Sequence, residues 1–304
     1  TYSTALNNGF RVTKKLLNQP VVLHMSDGSR WTPENYDNST SGLTTLREGL
    51  VHSYNLVAAR VVRKLISPSA VVETARKMNI TTPLNEVDAI ALGTEEVKPI
   101  ELTSAYSTFV NRGRWTKPRA IRKIEDRYGN TIYKSAKIEE IVFSEEVAYL
   151  TTSILQSVMD EGTGGSARWK WNFNRIAGGK TGTTNDYTDA WFLGFTPQLV
   201  AGVYVGVDSP KIPLGESQSG ASAALPIWAN FMKKVHSNMN WKEKEFKKPD
   251  GIVEKEICKE SKKLPTQYCP VEKEVFRKNN LPEEECDVHT GENDNGSNGE
   301  KNIF

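Results

Sequence analysis

No apolar run in this sequence approaches the roughly 18 to 20 residues that a bilayer-spanning helix needs, and its first residues lack the pattern of a signal peptide, so this stretch is expected to fold in water. Charge of one sign is also missing. Against 39 Lys and Arg stand 37 Asp and Glu, a net +2, with no basic stripe interleaved with aromatics, which sets nucleic acid aside as a partner. Histidine is scarce, and the four residues His24, His52, His236 and His289 are scattered. His52 stands beside Ser53 but is expected to face away on its helix, so a Ser/His/Asp triad is a poor account of this chain. The run Gly162, Thr163, Gly164, Gly165 lacks GKS or GxGxxG spacing and follows a helical pattern rather than a strand, which argues against nucleotide binding. No cofactor and no metal ligand is assigned.

What is present begins with an ordinary apolar content of 38%, enough for a substantial core in 304 residues. Tyr2, Ala5 and Leu6 have helical spacing before Asn7, Asn8 and Gly9. Residues 21–36, rich in turn formers, suggest a surface excursion ahead of a helix starting near Thr44. Ser67 and Pro68 open another helix as N-cap and first residue, and Pro99 to Arg112 forms a third, stopped by Gly113. Residues 121–135 alternate around Gly129 and Asn130 as a hairpin, expected on the main sheet or its edge. Ser144 caps a helix through Met159, residues 190–197 and 199–208 supply strands, and Ala221 to His236 closes the unit as an amphipathic helix.

The chemistry concentrates at Lys180, Thr181, Gly182 and Thr183. A lysine brings a compact positive charge, two threonines bring donors for an anion, and a glycine lets a ligand approach the backbone where a Cβ would block it. Such a set is suited to holding a carboxylate beside a reacting carbonyl. Upstream, Ser53, Tyr54 and Asn55 form an SxN triplet between the helical patterns TTLREGLVH and NLVAARVVRKL. The triplet alone is common and usually marks a turn or cap.

Taken in order, TLREGLVHSYNLVAARV, ELTSAYSTFVNRGRW, GNTIYKS, SEEVAYLTTSILQSVMDEGTG and the KTGTT run resemble the transpeptidase domain of class A, bifunctional penicillin-binding proteins, from about Thr1 to about Val235. The resemblance implies an α/β fold of the α+β type, the penicillin-binding and serine β-lactamase-like fold, with an antiparallel sheet flanked by helices and a helical subdomain carrying SxN across a cleft from KTG. It also implies D,D-transpeptidation of peptidoglycan stem peptides ending in D-Ala-D-Ala, inhibition by β-lactams, and a place on the outer face of the bacterial cytoplasmic membrane. Ser53 is then expected to relay a proton, Asn55 to hold the substrate amide, Lys180 to set a positive potential near Ser53, and Thr181 and Thr183 to bind the terminal carboxylate, with the Thr183 N–H in an oxyanion hole. Thr184, Asn185, Asp189 and Trp191 match the family run but are not assigned to catalysis.

One element of the family pattern is absent. No serine has a lysine three positions later: Ser3 meets Leu6, Ser53 meets Leu56, and Ser166 meets Trp169. The expectation is a transpeptidase domain over residues 1–241 whose SxxK helix start lies upstream of Thr1, with an anchor and a glycosyltransferase domain further upstream and the fragment alone inactive. The rivals are a D,D-carboxypeptidase or β-lactamase, and a non-catalytic cell-wall-binding module. Residues 242–290 are expected to form an extension holding Cys258, Cys269 and Cys286, and residues 291–304 a disordered tail. With no CxxC present, and in an extracytoplasmic setting, a Cys258–Cys269 disulfide with one cysteine left over is preferred to a zinc site of the three cysteines and His289.

Overall fold

The structure, a computed structural model, describes residues 1–25, 27–209 and 212–291. The chain forms two compact units that divide between Lys248 and Pro249. Residues 242–248 stay with the first because the Glu243 carboxylate accepts a hydrogen bond from the Ile176 N–H at 2.9 Å and Phe246 packs edge-on against Phe195. The tail expected over 291–304 lies, beyond Gly291, outside the described residues.

The centre of the first unit is a three-stranded antiparallel sheet of Gly178–Thr183, Asp189–Phe195 and Val200–Gly206, with Asp189–Phe195 in the middle. The register sets Lys180 opposite Leu193 and Thr183 opposite Ala190. The helices Glu145–Asp160 and Leu225–Asn238 flank it. Their apolar residues meet the sheet in a core of Met159, Phe173, Phe192, Leu225 and Trp228, and the Trp228 indole donates to the Gly194 carbonyl at 3.2 Å. Burial of side chains this large is the dominant favourable term, at roughly 1.5–3 kcal/mol each.

A second core, of Tyr2, Ala5, Leu46, Val57, Val61 and Val72, belongs to the helical part, where Tyr2–Asn7, Leu46–Val51, Asn55–Lys64 and Pro68–Lys77 pack together. The helix expected to start near Thr44 begins at Leu46 instead. Thr44 and Thr45 finish a short strand paired with Lys15–Leu17, and Thr45 closes a capping box with Glu48 that stops the strand and starts the helix. Helices open on Pro68 and Glu145 behind N-caps Ser67 and Ser144, and Pro99–Val110 ends shortly before Gly113 at φ +83°.

The expected hairpin exists as Lys123–Glu125 paired with Thr131–Lys134, but it is a two-stranded sheet of its own rather than part of the main sheet. All seven of its strand residues are exposed, so no buried face draws it onto the larger sheet. The second unit is built on another antiparallel pair, Ile252–Cys258 with Val271–Arg277. The Cys258–Cys269 disulfide expected there is not formed, since all three cysteines are free. No helix among the described residues is long and apolar enough to cross a membrane.

Candidate active site

Ser53 owes its position to an uncommon helix ending. The helix Leu46–Val51 terminates with the Tyr54 N–H bonded to the Gly49 carbonyl at 2.8 Å and the Ser53 N–H bonded to the Leu50 carbonyl at 3.2 Å. This double closure is the Schellman motif, and it requires its next-to-last residue in the left-handed region, where glycine is usual. Ser53 takes that place at φ +58°. A β-carbon there costs roughly 1–2 kcal/mol, a strain that in folded proteins concentrates at functional positions. The chain then reverses into Asn55–Lys64, with Asn55 as first helical residue.

Opposite stands the strand bearing Lys180. Its Nζ donates to Ser53 Oγ at 2.7 Å and to the Thr181 carbonyl at 2.8 Å. Lys180 keeps partial exposure, yet loss of water around the ammonium lowers its pKa from the usual lysine value to about 8. An ammonium poised this close to neutrality and bonded to a hydroxyl can both supply positive potential and exchange a proton. Thr181 Oγ1 donates to Thr163 Oγ1 at 3.0 Å, and Thr183 Oγ1 accepts from the Gly220 N–H at 3.0 Å.

Of the six expected site residues, Ser53, Asn55, Thr181 and Thr183 line a single cleft of about 690 Å³. Lys180 and Gly182 are not among its lining residues, and Lys180 reaches it through its bond to Ser53. Gly182 is held from below as well: an added Cβ would come within 3.2 Å of Trp191 Cβ, and Gly220 packs so close that its own Cβ would lie 2.5 Å from the Gly182 carbonyl oxygen. Close packing thus calls for glycine at Gly220 and leaves a side chain at Gly182 only a tight fit. Asn55 lines the cleft and donates its amide to the Glu34 carbonyl at 2.7 Å.

Three features escaped the sequence. His52 lines the cleft, its ring tilted at 36° to that of Tyr54 with centroids 5.4 Å apart, so it does not face away; the helix has already ended there, and helical periodicity no longer fixes its direction. Thr163 reaches the site because Gly162, where a Cβ would sit 2.3 Å from the Val51 carbonyl oxygen, lets the loop touch the end of the helix before Ser53. The later part of the excursion, Trp31 to Tyr36, walls the cleft rather than standing as free surface: buried Asn35 accepts from the Leu56 N–H at 3.2 Å and donates to Asn18 Oδ1 at 2.8 Å, and Tyr36 meets Tyr187 hydroxyl to hydroxyl at 2.9 Å. Thr184 accepts from the Thr188 and Asp189 N–H groups and so shapes the turn. Asn185 lines the cleft.

Two family models match this chain. Residues 1–233 match the penicillin-binding protein transpeptidase domain, which places the sheet, the cleft and both motifs inside one known family. The chain belongs to the penicillin-binding protein transpeptidase family. Residues 248–291 match the C-terminal domain of penicillin-binding protein 1A, the class A type. The curated penicillin-binding protein 1A of Aquifex aeolicus is 37% identical over 261 residues, covering 86% of this chain and 35% of that protein. The chain thus spans about a third of the length of that relative. The crystal structure of penicillin-binding protein 1A from Haemophilus influenzae superposes with a TM-score of 0.86 at 27% identity, covering 94% of this chain and 47% of that one. PonA1 from Mycobacterium tuberculosis, solved in complex with penicillin V, shares the fold at a TM-score of 0.69 and 22% identity, over 82% of this chain and 69% of the other. The α+β fold with a helical part beside an antiparallel sheet is thereby established for this chain.

Proposed function

We propose that this chain is the transpeptidase portion of a class A penicillin-binding protein that cross-links peptidoglycan stem peptides ending in D-Ala-D-Ala and is inhibited by β-lactams. The observation that carries this is the 2.7 Å bond from Lys180 to Ser53, which joins the KTG strand to the SxN turn at one cleft. The nucleophile is a serine of an SxxK motif supplied from outside these 304 residues, since no serine here has a lysine three positions on.

In the proposed reaction the nucleophilic Oγ attacks the carbonyl carbon between the two D-alanines, its proton passing to the SxxK lysine. The carbonyl oxygen becomes an oxyanion held by the Thr183 N–H and the nucleophile's own N–H, a type of donor whose loss costs about 2.7–4 kcal/mol. Ser53 relays the proton onto the leaving nitrogen, the C–N bond breaks, and D-alanine departs. The amine of a second stem peptide attacks the ester carbonyl, loses its proton along the same relay, and restores the serine with a new amide cross-link. Lys180 keeps the potential positive at Ser53, Thr181 and Thr183 bind the terminal carboxylate, and Asn55 holds the substrate amide. A β-lactam acylates the same serine. The work is done on the outer face of the cytoplasmic membrane, with the anchor and a glycosyltransferase domain in the remainder of the protein.

Intact mass after incubation with benzylpenicillin tests this, on the chain and on a version extended upstream through an SxxK serine. One adduct on the extended protein alone supports the proposal. An adduct on the chain itself would place the nucleophile among these residues, and no adduct on either would leave a non-catalytic module. With the extended protein and a stem pentapeptide, cross-linked product marks a transpeptidase and free tetrapeptide alone a hydrolase.

A further inference from the structure

Residues 249–291 contain two paired strands of seven residues each and little else that is regular. Their buried apolar side chains are few: Pro249, Ile252, Ile257, Cys258, Phe276, Pro282 and Cys286. A two-stranded pair is marginal by itself in water, and units this small ordinarily need a staple.

The structure shows where a staple belongs. The strand register pairs Cys258 with Val271, which leaves Cys269 just past the end of the ladder. A third segment is drawn to the same end by the Leu264 N–H bonded to the Glu284 carbonyl at 2.9 Å and the Cys286 N–H bonded to the Leu264 carbonyl at 2.8 Å. Together they bring Cys258 Sγ, Cys269 Sγ, Cys286 Sγ and a ring nitrogen of His289 within 4.8 Å of one another, with Cys258 and Cys286 buried.

We propose that Cys258, Cys269, Cys286 and His289 hold one structural zinc ion. Around zinc, with Zn–S near 2.3 Å and Zn–N near 2.0–2.1 Å, tetrahedral geometry sets S···N edges of about 3.6 Å. His289 Nδ1 lies 3.4 Å from Cys258 Sγ and 3.5 Å from Cys286 Sγ. A disulfide would instead bring two sulfurs to about 2.05 Å and leave the third cysteine and the histidine without a role. Three thiolates and an imidazole are soft ligands that favour zinc over calcium or magnesium, and four protein donors close the coordination sphere, which makes the site structural rather than catalytic.

The surroundings suit the same ion. The far ring nitrogen of His289 faces the Glu260 carboxylate at 3.4 Å, the outer partner that orients a ligating imidazole. Each sulfur accepts a backbone N–H: Cys258 from Ser261 at 3.5 Å, Cys269 from Thr266 at 3.3 Å, and Cys286 from Val288 at 3.4 Å. Such bonds stabilise thiolates. Thr266 Oγ1 also donates to the His289 carbonyl at 2.6 Å, tying the fourth ligand's backbone to the loop of the second. Binding displaces the three thiol protons to solvent and leaves the centre with a net charge of −1.

The test uses the 304-residue chain, purified with reductant and dialysed against metal-free buffer. Plasma mass spectrometry should find one zinc per chain, and cobalt(II) added to the stripped chain should give thiolate charge-transfer absorption with the visible bands of tetrahedral cobalt. Cys286→Ser or His289→Ala should lower zinc affinity at least 10-fold, and Glu260→Gln by about 10-fold. Should a ligand variant fail to fold, the cobalt spectrum of the unaltered chain still decides. A reduced chain that retains no zinc and shows no cobalt bands overturns the proposal, as does a mapped disulfide between any two of the three cysteines in the chain as isolated. Neither result depends on penicillin binding, so failure here is separable from failure of the proposed transpeptidase.

Discussion

Lys180 Nζ and Ser53 Oγ lie 2.7 Å apart although the two residues are separated by 127 positions in the chain. The bond joins a sheet strand to a turn between helices, so it reports at once on the geometry of the site and on how the helical part meets the sheet.

The lowered pKa of Lys180, about 8, gives a pH dependence with a definite sign. The unfolded chain holds the lysine proton up to about pH 10.4, whereas the folded chain releases it near 8, so between those values the unfolded state binds more protons and stability rises with pH. Below about pH 8 the desolvated charge is a cost. Lys180→Met should therefore be more stable than the parent near pH 7, and that advantage should narrow near pH 9.5 in urea titrations. In an SxxK-containing version, β-lactam acylation should decline as pH rises through about 8, because the positive potential at Ser53 is lost.

Ser53 is strained where glycine would be relaxed. Replacing it removes a hydrogen bond to an ammonium in either case, so the comparison that isolates strain is between two variants. Ser53→Gly should be more stable than Ser53→Ala by about 1 kcal/mol, and under the proposed mechanism both should lose the proton relay. Equal urea midpoints for the two would remove the strain argument.

Asn35 bonds two buried partners from distant segments, the Leu56 N–H and Asn18 Oδ1. Asn35→Ala leaves the Leu56 N–H unpaired beside the SxN helix and should cost about 3 kcal/mol, read as a lower midpoint in thermal or urea unfolding. A change within about 0.5 kcal/mol would mean water replaces all of these contacts.

Gly162→Ala would drive a methyl to 2.3 Å from the Val51 carbonyl oxygen, a backbone atom that cannot swing aside. We expect a loss of about 2 kcal/mol together with weakened reversible β-lactam binding, because the loop that carries Thr163 to Thr181 must move. Calorimetry and an equilibrium binding titration check the two effects separately.

How far the sequence speaks depends on how local each cause is. The KTG strand and its neighbour Asp189–Phe195 are legible because polar motif and apolar run lie side by side, and the caps at Ser67 and Ser144 because capping is settled within four residues. The exposed hairpin at 123–134 was legible as a hairpin but not in its placement, which depends on there being a buried face. His52, Asn35 and Thr163 took their roles from contacts between distant segments, and no periodicity records those. The expected Cys258–Cys269 disulfide fails for the same reason: cysteines spaced 11 and 17 residues apart carry no CxxC signature, and the pairing of Cys258 with Val271 and of Leu264 with the 284–286 segment gathers all three beside His289.

A site assembled from residues so far apart along the chain also determines when it forms. The helix Glu145–Asp160 depends on neighbours a few residues away and can appear within microseconds, whereas bringing Ser53 to Lys180 requires closing a long loop before any contact offsets the lost entropy. Binding competence is therefore expected late in refolding, after the helical signal has recovered. A ligand that bridges both lips of the cleft recognises only the finished domain, which makes a fluorescent β-lactam a stricter probe of refolding than helicity.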